Sequence, residues 1–179
     1  MTTGKSVRWD FRVLNSLDKF KKMSKQHNYT LTVKWTGNKG TGTSHAAEYE
    51  RSHTLSAAGK PDIFCSSDTP FRGDGSKYNP EDFFLASLSE CHMLWYLHKC
   101  ADAGVIVVDY TDKPTGIMVE AMVTERGRFI AVTLHPHVVV TEEWMVEKAK
   151  ALHDVANEMC FIANSCNFEV KHEPVARAQ

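Results

Sequence analysis

The chain has 179 residues, 42% of them hydrophobic, and a formal net charge of −1. That is enough for one domain with a core of its own, and it gives no general attraction to nucleic acid or to an anionic membrane. No run approaches the ~18 apolar residues that a spanning helix needs. The start lacks the apolar core of a signal peptide, so the chain is expected to be soluble and cytoplasmic. Five cysteines, Cys65, Cys91, Cys100, Cys160 and Cys166, occur with no Cys-x-x-Cys among them. An odd number in a reducing compartment argues against a disulfide framework and against zinc ribbons or thioredoxin-type motifs.

Residues 1–26 carry seven basic and two acidic side chains, so the rest of the chain sums to −6. They read as a solvated, partly helical extension, or as an overlong start with Met23 beginning the protein. A cleaved organelle-targeting leader is the sharper alternative, which Asp10 and Asp18 weaken. A single domain over 27–179 follows. Tyr29 to Trp35 alternates with β-branched and aromatic residues and predicts a strand. The run from Thr36 to Gly42 is turn chemistry. Glu48 to Leu55 predicts a second strand and Pro61 to Cys65 a short third. Ser66 to Asn79, with Pro70, Gly73 and Gly75, predicts a loop.

The strongest signal is a helix. Asn79 suits its cap, Pro80 its first position, and Glu81 and Asp82 its positive end. Phe84, Leu88, Cys91, Trp95 and His98 recur at helical spacing and share one face. Gly104 sits where the helix should stop. Its apolar stretches suggest burial on several sides, as a central helix or one at a dimer interface. Strands are then expected over Val105 to Tyr110, Gly116 to Thr124 and Arg128 to Val140. A second helix is expected to start with Thr141 as cap and to bury Met145, Ala149, Leu152, Ala156 and Met159, with Cys160 near its end. Phe168 to Lys171 predicts a last strand, and the tail from Glu173 a frayed end. His135-Pro136-His137 in an alternating strand reads as surface decoration rather than a metal site.

Each of the two helices buries a cysteine. Core filler is the plain reading of both, because free cysteine is among the most buried residue types. The surroundings of Cys91 raise a second reading. Glu81 lies ten residues before it, about three turns, within one sector of the same helix face. Arg72 stands in the loop before the helix. An arginine near a thiol stabilises the thiolate, and a glutamate can hold that arginine by a bidentate contact. Lowering the thiol pKa alone gains little at neutral pH, because nucleophilicity falls with it. Arg72 should therefore also hold a peroxide and stabilise charge on the departing oxygen.

At these residues the chain resembles the OsmC/Ohr family, the osmotically induced and organic-hydroperoxide-resistance proteins. The stretch Asn79-Pro80-Glu81-Asp82 through Ser89-Glu90-Cys91-His92 looks like that family's nucleophile helix. The Cys160 segment looks like its second-cysteine helix. Phe71-Arg72-Gly73 matches the position of its active-site arginine, and Trp35-Thr36-Gly37-Asn38 resembles its first-strand turn. The likeness runs from about Tyr29 to His172. One departure stands out, since Phe161 follows Cys160 where well-known members have proline.

The resemblance implies an α+β fold with antiparallel sheets wrapped around two central helices per chain in an intertwined homodimer. It implies a thiol peroxidase acting on organic hydroperoxides, with sites at the subunit interface. Cys91 would be the peroxidatic cysteine, Cys160 the resolving one, Arg72 the thiolate partner and Glu81 its anchor. An external dithiol would restore the thiols, with no metal or organic cofactor. A non-catalytic binder of a hydrophobic small molecule and a redox sensor are the alternatives from other classes.

Overall fold

A computed structural model describes residues 25–120 and 126–179. The 1–24 part of the basic extension, and the end of the expected strand over Gly116 to Thr124, lie outside the described residues.

Three short antiparallel strands come first: β1 (Thr32–Trp35), β2 (His53–Ser56) and β3 (Ile63–Cys65), in the order β1-β2-β3. A 3-10 turn over Thr69–Phe71 interrupts the expected loop. Helix α1 (Pro80–Asp102) begins where its capping residues predict. The Asn79 side chain accepts from the Asp82 N–H at 2.8 Å, and the Asp82 carboxylate accepts from the Asn79 N–H at 3.1 Å. That reciprocal box satisfies two donors the helix end would otherwise leave orphaned.

Strands β4 (Val107–Thr111), β5 (Thr115–Val119), β6 (Arg128–Leu134) and β7 (His137–Val140) follow. The long strand expected over Arg128 to Val140 is broken at His135-Pro136. Proline has no N–H to give a ladder, so β6 and β7 part there and join different sheets. Helix α2 (Val146–Met159) begins later than Thr141 predicts, after a 3-10 turn over Glu143–Met145. The Thr141 hydroxyl faces the Met145 sulfur, not a helix N–H. Strands β8 (Val170–His172) and β9 (Val175–Ala178) close the chain.

The tail is not frayed. β9 pairs in parallel with β7, and β8 in parallel with β6, so two of the three sheets are mixed, with orders β4-β7-β9 and β5-β6-β8. Helix α1 spans both of these sheets. Its first half packs Leu88, Phe84 and Leu85 against Val132, Leu134 and Val170 of β5-β6-β8. Its second half packs Tyr96 and Cys100 against Val138 and Val140 of β4-β7-β9, with Ala149 and Ala156 of α2. A central helix is what its apolar character predicted, although the most buried face is Leu88, His92, Tyr96 and Cys100.

The β1-β2-β3 sheet has a different environment. All four residues of β1 are exposed, and Leu31, Val33, Trp35 and Phe64 show large apolar surfaces to solvent. A three-stranded sheet needs an apolar face covered to be stable in water.

Candidate active site

Helices α1 and α2 run antiparallel, and three contacts follow one another along their seam. At one end the Lys148 ammonium donates to the Ala103 carbonyl at 2.7 Å. In the middle, His92 meets His153 at 2.9 Å. At the other end Cys160 terminates α2, in an extended conformation, and its thiol lies against that of Cys91. Both cysteines are free.

The two thiols have different surroundings. Cys160 is 1% exposed, whereas Cys91 is half-buried. Burial pushes the Cys160 thiol up to about 11, and sharing its proton with Cys91 adds to the rise. The Ala163 N–H, donating to the Cys160 sulfur at 3.4 Å, works in the opposite direction and is outweighed. Cys160 is thus a thiol that keeps its proton at neutral pH. Neighbouring thiols of this kind can close a disulfide once one sulfur is oxidised, provided their Cα atoms come within about 7 Å.

An aromatic wall stands beside the thiols. Trp95, one turn after Cys91, meets Phe161, the residue after Cys160, edge to face at 5.6 Å. Phe161 remains 68% exposed, so the wall presents apolar surface to an approaching molecule. Trp35, by contrast, packs against Tyr49 in the first sheet region and donates to the Glu50 carbonyl.

Arg72 and Glu81 are placed differently. Arg72 follows the 3-10 turn with φ 63° and ψ 29°, in the left-handed region that a non-glycine residue enters at a cost of ~1 kcal/mol or more. The loop around it is tightly built. Asp68 caps the turn, accepting from the Thr69 N–H at 2.7 Å, and the buried Ser66 hydroxyl accepts from the Asp74 N–H at 3.0 Å. Asp74 in turn accepts from the Ser76 hydroxyl and backbone and pairs with Lys77, which hold its carboxyl down to about 2. The Arg72 side chain is exposed and lines a recess of about 240 Å³ with Glu50, Arg51, Ser52, Ser66, Gly73 and Asp74. Glu81 is half-buried in the first turn of α1, and no ion pair joins it to Arg72 within one chain. The protomer therefore brings the two thiols together but leaves Arg72 in a separate recess.

Gly73 holds that loop in place. A Cβ there would stand 1.5 Å from the Ser67 carbonyl oxygen, whereas at Gly75 it would meet only the Thr69 hydroxyl at 2.8 Å. Gly73→Ala is expected to displace the Arg72 loop and lower stability by about 2 kcal/mol, with Gly75→Ala much milder. Urea midpoints of the two variants check this, and equal midpoints would refute the packing argument.

Sequence reasoning missed His92 and His153. Both are fully buried on the facing sides of the helices, and each is the polar member of an otherwise apolar stripe. The usable signal in α1 was the four-residue step Leu88, His92, Tyr96, Cys100.

Comparison with known proteins bears on the whole arrangement. A family model for OsmC-like proteins matches residues 73–174. A search of curated proteins returns no match. Among solved structures, an OsmC-like protein of unknown function from Vibrio cholerae is similar at 29% identity and TM-score 0.74, covering 84% of this chain and all of that one. An organic hydroperoxide resistance protein OsmC from Legionella pneumophila shares the fold at 20% identity and TM-score 0.62, covering 84% of this chain and 99% of that one. So does an organic hydroperoxide resistance protein from Elizabethkingia anophelis, at 18% identity and TM-score 0.62, covering 86% of this chain and all of that one. The family match takes in both cysteine-bearing helices and the strands between them, more than half of the chain, and the chain belongs to the OsmC-like family.

Proposed function

We propose that the protein is a thiol peroxidase that reduces organic hydroperoxides through Cys91 and Cys160. The observation that carries this is the contact between the two thiols, with Cys160 protonated and buried and Cys91 half-buried beside it. The Cys91 sulfur attacks the outer peroxide oxygen, the O–O bond breaks, and an alcohol leaves with a proton; Cys91 becomes a sulfenic acid. Cys160 then attacks that sulfur, water leaves, and a Cys91–Cys160 disulfide forms. An external dithiol restores both thiols by exchange. The Trp95–Phe161 wall favours an apolar peroxide over hydrogen peroxide.

The working form in this proposal is an intertwined homodimer. The uncovered β1-β2-β3 sheet supports it, because its apolar side chains need a second chain to bury them. In such a dimer the Arg72 loop of one subunit reaches the thiols of the other. Arg72 would then stabilise the thiolate and the departing oxygen, and Glu81 would anchor the guanidinium.

The test is a thiol count. Reduced protein treated with cumene hydroperoxide is expected to lose two free thiols per chain, and to regain them with a dithiol. No loss of thiols would refute the peroxidase reading and favour a binder of hydrophobic small molecules.

A further inference from the structure

His92 and His153 are both 0% exposed, and the bond between them is the one side-chain hydrogen bond that either ring makes among the described residues. Their planes lie within 6° and their centroids are 5.2 Å apart. That separation is about the longest a 2.9 Å N···N contact between two imidazoles allows, so the bond runs in line with both rings and in their shared plane. Hydrogen bonds are strongest in that alignment. It also excludes a shared metal ion, because two imidazole nitrogens on one zinc stand about 3.3 Å or more apart. The Tyr96 ring covers His153 at 3.8 Å. Burial keeps both rings neutral through the physiological range, so one proton is always available to bridge them.

The rest of the seam is undemanding. The other buried residues of the two helices are Leu88, Tyr96 and Cys100 on α1 and Val146, Ala149 and Ala156 on α2, and the Lys148 bond to the Ala103 carbonyl hangs on a long, exposed side chain that can follow a shift. Apolar contact is non-directional, so such a seam tolerates a slide of one helical turn, ~5.4 Å. The in-line imidazole bond does not. A slide of that size would take Cys160 out of the reach of Cys91, because a disulfide requires Cα atoms within about 7 Å. We infer that the His92–His153 hydrogen bond fixes the register of α2 on α1 and so holds Cys160 against Cys91, making both histidines positioning residues for disulfide closure.

The inference rests on the thiol-pair reading for its use in the cell. The step it promotes is the reaction of the Cys91 sulfenic acid with the Cys160 thiol: the S–O bond breaks, the S–S bond forms, and the hydroxyl leaves with the Cys160 proton as water. The register itself is measurable without any peroxide, from the equilibrium of the two thiols with glutathione.

The experiment uses the full chain and the double variant His92→Leu/His153→Leu, which removes both partners together, so that neither imidazole is left with its bonding nitrogen unpaired. In buffers of reduced and oxidised glutathione, the double variant is expected to form the Cys91–Cys160 disulfide with an equilibrium constant about tenfold or more below wild type. After one equivalent of cumene hydroperoxide, closure should slow by a similar factor and dimedone should trap the sulfenic acid. The first oxidation of Cys91 should stay within about twofold of wild type. His153→Gln, whose amide can still meet His92, should recover most of the loss. A folded double variant with the wild-type glutathione equilibrium overturns the inference. If the double variant does not fold, His153→Phe, which keeps a ring against Tyr96 but not the bond, decides on the same criterion. Wild-type thiols inert to peroxide would refute the peroxidase reading and leave the glutathione equilibrium to decide the register. Intact peroxide turnover with an unchanged equilibrium would do the reverse.

Discussion

Cys91→Ser is expected to abolish hydroperoxide turnover, a loss of about a thousandfold or more, whereas Cys160→Ser should perform one oxidation per chain and stop. The asymmetry follows from the surroundings of the two sulfurs. A serine hydroxyl is not ionised at neutral pH and does not attack the O–O bond. Cys160 does not substitute for the lost nucleophile, because burial, the largest cause of its raised pKa, remains and keeps the thiol protonated at neutral pH. In Cys160→Ser the Cys91 sulfenic acid has no internal partner, and excess peroxide should drive it to the sulfinic acid. Intact-mass measurement after one and after many equivalents of cumene hydroperoxide reads both stages. Turnover by Cys91→Ser at the wild-type rate would remove the central claim.

Acid is expected to destabilise the fold in a window set by the buried histidines. Burial first, and the positive charge of neighbouring imidazoles second, lower His92 to about 4 and His153 to about 3. His172 faces both, and Asp112 partly offsets the effect at His92. Unfolded, both groups titrate near 6.5. Below that pH the unfolded chain binds more protons than the folded one, so stability falls as pH drops from about 6.5 toward 4 and is unaffected by these groups above it. His92 alone should contribute about 2–3 kcal/mol across that window. The depressed Asp74 carboxyl acts with the same sign at lower pH, below its ordinary value of 3.8, and so outside the window. Urea denaturation at pH 7, 5.5 and 4.5 measures the slope. His92→Leu/His153→Leu should flatten it between pH 6.5 and 4.5, and an unchanged slope in that variant would assign the acid sensitivity elsewhere.

The sequence was most informative where structure is local. The Asn79-Pro80-Glu81-Asp82 cap placed the start of α1 at the observed residue, because capping is decided within four positions. The buried face was harder. α1 packs on two sheets and on α2, so apolar residues surround it and periodicity does not isolate one stripe. Cys91, Trp95 and His98 fell on the expected face, yet His92, Tyr96 and Cys100 are the buried ones. In α2, Ala149 and Ala156 are buried as expected, whereas Met159 is exposed and His153 takes a core place. Histidine counts as polar in any pattern. What makes it a core residue here is a partner 61 positions away. The tail from Glu173 shows the same limit, since Val175–Ala178 is a weak strand former made regular by the open edge of β7. The site divides in the same way. Both cysteines were visible as helix residues, and their contact depends on how two helices pack. Arg72 was visible as a loop cation, but its distance from the thiols of its own chain was not.

The contact between Cys91 and Cys160 joins positions 69 residues apart. The protein is made from its N-terminus, so Cys91 precedes Cys160 through synthesis. At about 5–20 residues per second, that interval is on the order of several seconds. During it the chain carries a sulfur whose partner does not yet exist, and any sulfenic acid formed then has no Cys160 thiol to rescue it. The expected consequence is that peroxide stress damages newly made chains more than mature ones. Pulse-labelled protein should contain more Cys91 sulfinic acid than old protein after the same peroxide exposure, and equal amounts in the two pools would show that the delay is harmless.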